Sequence, residues 1–331
     1  MGNNEVTNDN ILSIKNLVVH FEMDYGVVEA VNDFSIDIKK GETLGLVGET
    51  GAGKTTVALS IMGLLQKPQG HVIQGSILLD GEELLTKTNK QMRKIRGERI
   101  SMIFQDPMTA LNPIMTVGDQ ISEVLRIHEK LSRVEAKIKA QELLAMVGIP
   151  EARYGEYPHE FSGGMKQRVV IAIALACNPD FLIADEPTTA LDVTIQAQVL
   201  ELMREQIKSH NMSMMLITHD LGVVAEVCDK CAVMYAGEVV EYGTVYQVLD
   251  TPKHPYTLGL LNSLPTLNKD VDRLEPIPGM MSDPLDLPNH CSFCERCSCP
   301  LPRCTEGEPR MIEIEPGHFV KCFQFEKEAE Q

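Results

Sequence analysis

Positive charge is scarce in this chain: 30 lysines and arginines stand against 47 aspartates and glutamates, a formal net charge of −17. A surface that binds nucleic acid must neutralise phosphates with Lys and Arg, so the acidic balance argues against that class of partner. Long apolar runs are also missing. The longest, Val169 to Cys177, falls far short of the ~18 residues that span a bilayer, so a membrane role has to come through a partner. The first ten residues are polar with no apolar segment behind them, which leads us to expect neither a signal peptide nor an anchor, and a chain that stays in the cytosol. There is no internal repeat and no low-complexity tract. Cysteine is sparse until the end, where six of the nine fall at 291, 294, 297, 299, 304 and 322.

What is present is ample for a core: 331 residues, 44% of them hydrophobic. The organising stretch is Gly48-Glu49-Thr50-Gly51-Ala52-Gly53-Lys54-Thr55, set between the apolar run Thr43 to Val47 and the apolar-periodic segment Val57 to Leu65. It reads as strand, loop and helix. Glycines at 48, 51 and 53 let the backbone N–H groups converge on one point, the helix start adds its dipole and unpaired donors, and that point suits a phosphate. Lys54 can reach the outer phosphates and the Thr55 hydroxyl can ligate Mg²⁺, with Thr56 following in the first turn.

Along the chain, Ile11 to Phe21 and Val28 to Ile38 alternate and predict antiparallel strands. Ser76 to Leu79 before Asp80-Gly81 predicts a hairpin, and Glu98 to Phe104 another strand. From Thr116 to about Cys177 the pattern is helical, with Ser132 to Glu135 as a capping box. Buried strands are predicted at Phe181 to Ala184 and Met214 to Ile217 around a helix from Thr194 to Lys208, and a hairpin at Ala236-Gly237. Prolines and a loss of periodicity from Thr251 to Asn289 put a boundary near residue 250.

Two further stretches carry chemistry. The strand ending in Asp185-Glu186 presents two carboxylates at a strand edge, where Asp185 suits Mg²⁺ and Glu186 suits the water that attacks a γ-phosphate. Ser162-Gly163-Gly164-Met165 opens a helix with a serine cap and forms a second anion site.

Together these stretches resemble the ATP-binding subunit of an ABC transporter. The resemblance implies an α/β fold: a P-loop ATPase with a RecA-like core, an antiparallel β subdomain and a helical subdomain over about 106–178. The ATPase domain would span 1–250, and a small Pro/Cys-rich domain 251–331. It further implies that Ser162, Gly163, Gly164 and Met165 clamp ATP held by a second subunit. Gln105 would contact metal and attacking water, Ala190-Leu191-Asp192 would form the D-loop, and His219 would meet the γ-phosphate. Met165 stands where the family usually has glutamine. An aromatic residue should stack on adenine; the family pattern favours Phe21, with Tyr25 second.

The stretch Phe104 to Pro113, the Phe161 to Met165 stretch and His254-Pro255-Tyr256-Thr257 resemble the peptide-importer branch. That implies an ATPase subunit driving import of oligopeptides or dipeptides from the cytoplasmic face of the membrane. Its partners would be a related second ATPase, two permeases and an extracellular substrate-binding protein, with no nucleic acid. Close relatives carry nickel or other metal chelates, and soluble ABC proteins are a more distant alternative. Met108, Leu111 and Met115, expected to be exposed, are candidates for permease contact or for packing.

Cys291, Cys297, Cys304 and Cys322, with five, six and seventeen residues between them, resemble the four-cysteine tail of that branch. In those relatives the tail looks like a site for a [4Fe-4S] cluster; Zn²⁺ is the competing occupant and unligated thiols the third reading. Cys228 and Cys231 read as packing residues.

Overall fold

The computed structural model describes residues 9–188, 191–263 and 276–326. In chain order it runs β1 (Asn10–Met23), β2 (Gly26–Lys39), β3 (Thr43–Val47), α1 (Lys54–Met62), β4 (Gly70–Leu79), β5 (Glu82–Glu83), α2 (Asn89–Ile95) and β6 (Ile100–Ile103). Helices follow as α3 (Pro107–Ala110), α4 (Val117–His128), α5 (Arg133–Met146) and α6 (Gly163–Leu175). Then come β7 (Phe181–Asp185), α7 (Val193–His210), β8 (Ser213–Ile217), α8 (Leu221–Val227), β9 (Lys230–Tyr235) and β10 (Glu238–Thr244). The chain continues with α9 (Val245–Leu249), α10 (Pro255–Asn262), β11 (Met311–Glu315) and β12 (His318–Lys321). Two compact units share these elements.

One unit gathers Leu12–Ile38, Thr43–Leu85 and Ile217–Gln331. Its four-stranded sheet has the order β2-β1-β4-β5. β1 and β4 are antiparallel, with Leu12 opposite Leu79 and Ile14 opposite Ile77, and all four side chains are buried. The Asp80-Gly81 turn has both residues at positive φ, as a two-residue hairpin loop requires. A second set of strands runs β11-β12-β10-β9-β3. β3 lies parallel to β9, while β9–β10, β10–β12 and β11–β12 are antiparallel. The hairpin expected at Ala236-Gly237 is there, and Asn32 N–H donates to the Gly237 carbonyl at 2.9 Å.

Two elements of this unit escape a pattern reading. Helix α10 falls inside the proline-rich stretch; its proline sits in the first turn, where no N–H is needed. The β11–β12 hairpin is too short to show periodicity, and β12 pairs with β10, placing Val320 opposite Glu241. Fully buried Glu241 accepts the Lys253 and His254 N–H groups at 2.8 and 2.9 Å, and its Oε1 lies 2.8 Å from His318 Nε2. Nearby, Tyr235, Tyr256 and Phe293 meet ring to ring with centroids 4.8–5.3 Å apart.

The other unit gathers Met1–Ile11, Lys39–Glu42 and Thr86–Leu216. Its strands run β8-β7-β6, with β6 parallel to β7. Helix α7 buries Val199, Leu200, Met203 and Ile207, one stripe at helical spacing, and ends at left-handed Asn211. The Ser132 capping box forms as expected: Ser132 N–H donates to Glu135 Oε2 at 2.9 Å and Glu135 N–H to Ser132 Oγ at 3.3 Å. Leu111 departs from expectation. It is buried, Met115 is half-buried, and Ile114 is the exposed apolar residue of that turn. The Met108 side chain lies outside the described ones.

His254 caps α10 through its ring: Nδ1 accepts the Tyr256 N–H at 3.1 Å. Burial pushes its pKa down from 6.5 to about 3, so the folded imidazole stays neutral while the unfolded one takes up a proton. Its contribution is therefore complete above pH 6.5 and is lost as pH falls towards about 3, at ~1.4 kcal/mol per pH unit for one proton. Denaturant titrations between these limits should give a shallower pH slope for His254→Asn than for the wild type. Equal slopes would refute the account.

Candidate active site

The loop from Gly48 to Thr55 links β3 to α1 in a geometry that only glycine tolerates at two points. Gly48 and Gly53 have φ of 151° and 99°. A Cβ at Gly48 would run into the Met234 carbonyl oxygen, and one at Gly53 into the Ala30 carbonyl oxygen. Ala52, wholly buried, sends its carbonyl to Gly237 N–H at 3.0 Å. Lys54 is buried at the first turn of α1, and its Nζ donates to the Gly48 and Glu49 carbonyls at 2.8 and 2.9 Å. The lysine thus lies along the loop that would wrap a phosphate chain, and Thr55 and Thr56 follow it in the same turn.

Glu49 is held from outside the loop. Its N–H donates to the Tyr256 hydroxyl at 2.9 Å, and its carboxylate accepts Arg296 Nη1 and Nη2 at 2.7 and 2.9 Å. Bonding to Glu49 pushes the Arg296 pKa further up. Nothing in the sequence pattern marked these partners. Tyr256 lies in a stretch singled out only by resemblance, and Arg296 stands between cysteines that drew attention to sulfur.

In the other unit Gln105 and Glu186 come together: Gln105 Nε2 donates to Glu186 Oε2 at 3.0 Å. Asp185 is buried at the end of β7, and Glu186 beside it is left-handed at φ 47°. A non-glycine residue at such an angle is costly, and such residues cluster at functional sites. Ser162 caps α6 by accepting the Met165 N–H at 3.4 Å. A Cβ at Gly164 would press on Ile195 of α7, whose N-cap Asp192 accepts the Ile195 N–H at 2.9 Å. Arg153 donates to Met165 Sδ at 3.2 Å. Ala190 lies outside the described residues.

Phe21 is half-buried against Gly70, and Tyr25 is 69% exposed between β1 and β2. His219 is exposed just after β8. Cys228 and Cys231 sit in an apolar cluster, and burial pushes both thiols up, which suits packing rather than redox chemistry.

The family model described as ABC transporter matches residues 31–189, and that for the oligopeptide/dipeptide transporter C-terminal region matches 240–304. The oligopeptide transport ATP-binding protein AppD of Bacillus subtilis is 49% identical over 324 residues, covering 97% of this chain and 99% of that one. This chain belongs to the ABC transporter family. It is an ATP-binding, ATP-hydrolysing member with the expected α/β fold. The dipeptide transport ATP-binding protein DppD of Lactococcus lactis is 49% identical, with 97% of this chain and 93% of that one covered. Among solved structures, the ATP-binding cassette MJ0796, a dimer in a post-hydrolysis state bound to ADP and Pi, superposes with a TM-score of 0.64 at 28% identity. The match covers 71% of this chain and 98% of that one.

For this ABC ATPase the loop geometry sets a clear expectation. Gly53→Ala places a methyl against the Ala30 carbonyl at a positive φ, which should cost roughly 2 kcal/mol or more. Chemical denaturation measures it, and an unchanged midpoint would show that the loop is not confined as described.

Proposed function

We propose that this ATPase energises import of oligopeptides or dipeptides. The observation carrying the proposal is the match of residues 240–304 to the oligopeptide/dipeptide transporter C-terminal region, on a chain that parallels AppD almost end to end. Residues 1–250 would form the ATPase part, with its helical segment over about 106–178, and 251–331 the C-terminal part. No helix among the described residues is long and apolar enough to cross a membrane. Attachment to the cytoplasmic face would therefore come through two permeases, with a related second ATPase and an extracellular substrate-binding protein completing the assembly.

The loop from Gly48 to Thr56, through the N–H groups not donated to the Tyr256 hydroxyl or the Glu49 carbonyl, would hold the phosphates together with Lys54, with Phe21, or failing it Tyr25, under the adenine. Thr55, Gln105 and Asp185 offer oxygen donors of the kind Mg²⁺ takes and would be its ligands; the ion would neutralise developing phosphate charge. Glu186 would take a proton from the attacking water, with Gln105 bonded to it fixing its carboxylate. His219 would meet the γ-phosphate, and Ser162, Gly163, Gly164, Met165 and Asp192 would face a neighbouring subunit's ATP.

The cysteine tail gathers thiols in two neighbouring groups. Cys294, Cys304 and Cys291 pack with Phe323, and Cys297 Sγ lies 3.9 Å from Cys299 Sγ. N–H donors aim at two sulfurs, Leu301 N at Cys304 and Gln324 Nε2 at Cys299. No three His, Cys, Asp or Glu side chains among the described residues converge as ligands of one metal ion, so the cluster reading is carried by the spacing of the cysteines and by the match of the C-terminal region. Cys291, Cys297, Cys304 and Cys322 would hold a [4Fe-4S] cluster, a group that can carry one electron or brace the fold.

Lys54→Ala should lose ATP binding. Glu186→Gln should keep binding and lose turnover by at least ~100-fold; normal turnover in that variant would remove Glu186 from its role. Phe21→Ala should weaken ATP severalfold in a nucleotide titration, roughly the loss of one stacked ring, with Tyr25→Ala unchanged. Iron and sulfide should appear on analysis of anaerobically purified protein, whereas zinc or no metal would overturn the cluster.

A further inference from the structure

The phosphate loop is anchored at Glu49 by a residue from the cysteine-rich tail. Arg296 is 7% exposed, and each of its three guanidinium nitrogens donates a hydrogen bond. Its Nη1 and Nη2 donate to the two oxygens of Glu49, and its Nε donates to the Pro278 carbonyl at 2.9 Å. Its guanidinium lies 5.7 Å from the centroid of Tyr235, and Tyr235 belongs to the aromatic group that includes Tyr256, acceptor of the Glu49 N–H. A bidentate pair with one partner this buried fixes orientation as well as distance. Glu49 is the second residue of the loop, and its carbonyl accepts both Lys54 Nζ and Ala52 N–H. Holding Glu49 therefore holds the carbonyl that shapes the loop and seats its lysine.

Arg296 ends a single turn, Cys294 to Arg296, and is followed directly by Cys297. We propose that Arg296 is a positioning residue for ATP: it holds the phosphate loop in its binding shape through Glu49, and makes nucleotide affinity depend on the order of the cysteine module. The proposal rests on reading residues 48–56 as the phosphate loop. Arg296 touches no reacting atom, so its removal changes how often the loop has the competent shape rather than the chemistry once ATP is bound. Apparent affinity falls by the fraction of molecules with a competent loop.

The test is a titration of the full chain with a fluorescent ATP analogue, alongside ATP kinetics in the assembled transporter. Arg296→Ala should raise the Kd and the KM for ATP by roughly tenfold with kcat changed less than about twofold. Arg296→Lys, which keeps the charge but not the fork, should fall between. Glu49→Gln approaches the same pair from the loop side and serves if Arg296→Ala does not fold. Combined with Arg296→Lys, it should weaken binding no further than the larger single change. Cys297→Ser should raise the Kd beside Arg296 but not in the Arg296→Ala background. A Kd within twofold of the wild type in folded Arg296→Ala, or a fall in kcat at constant KM, would overturn the positioning role. An equal Cys297→Ser effect in both backgrounds would overturn the coupling. Retained nucleotide binding in Lys54→Ala would instead bring down the phosphate-loop reading itself.

Discussion

The arrangement depends on a loop that must point its N–H groups inward while its own carbonyls and side chains are held elsewhere. A string of converging donors has no reason to stay converged, because each peptide gains by turning towards water or a neighbour. Here Gly48 and Gly53 sit against the carbonyls of Met234 and Ala30, where only a residue without a Cβ fits. Ala52 is tied to Gly237, and Lys54 lies along the loop on the carbonyls of Gly48 and Glu49. The entropy of ordering the loop is thus met by the scaffold before a nucleotide arrives, which is what preorganisation means for affinity.

That confinement reaches further along the chain than the loop itself. Buried Glu241 takes the N–H groups of Lys253 and His254 and lies against His318 of the tail hairpin. His254 then caps α10 and accepts the Tyr256 N–H, and the Tyr256 hydroxyl receives Glu49. A buried carboxylate is costly unless its bonds are made, so the segment after β10 is drawn to one place. The position of Glu49 is in this way inherited from residues as far as 207 places away in sequence at Tyr256 and 247 at Arg296, a distance that hydrophobic packing alone would bridge with far less directional precision.

Much of the fold was legible. Strand alternation from Ile11 to Ile38, the Asp80-Gly81 and Ala236-Gly237 turns, the Ser132 capping box and the buried strand ending at Asp185 are local signals, and each appears as read. Helix α10 and the β11–β12 hairpin were not legible, because a proline-rich approach and strands of four or five residues carry too little periodicity. Leu111 misled for a related reason: a residue in a short turn takes its burial from what lies beside it rather than from its own pattern.

By itself the sequence determined the chemistry on offer. It set a glycine-rich loop ahead of a helix, a lysine and hydroxyls at its start, two carboxylates at a strand end, and thiols gathered in the last forty or so residues. Those are properties of residue type and short spacing, where backbone sterics and side-chain chemistry act locally. Only the tertiary structure decided which groups meet: Gln105 with Glu186, Tyr256 and Arg296 with Glu49, His318 with Glu241. Such pairings are set by where whole elements come to rest, and a hydrogen bond needs its partners within a few tenths of an ångström, a requirement no linear pattern expresses.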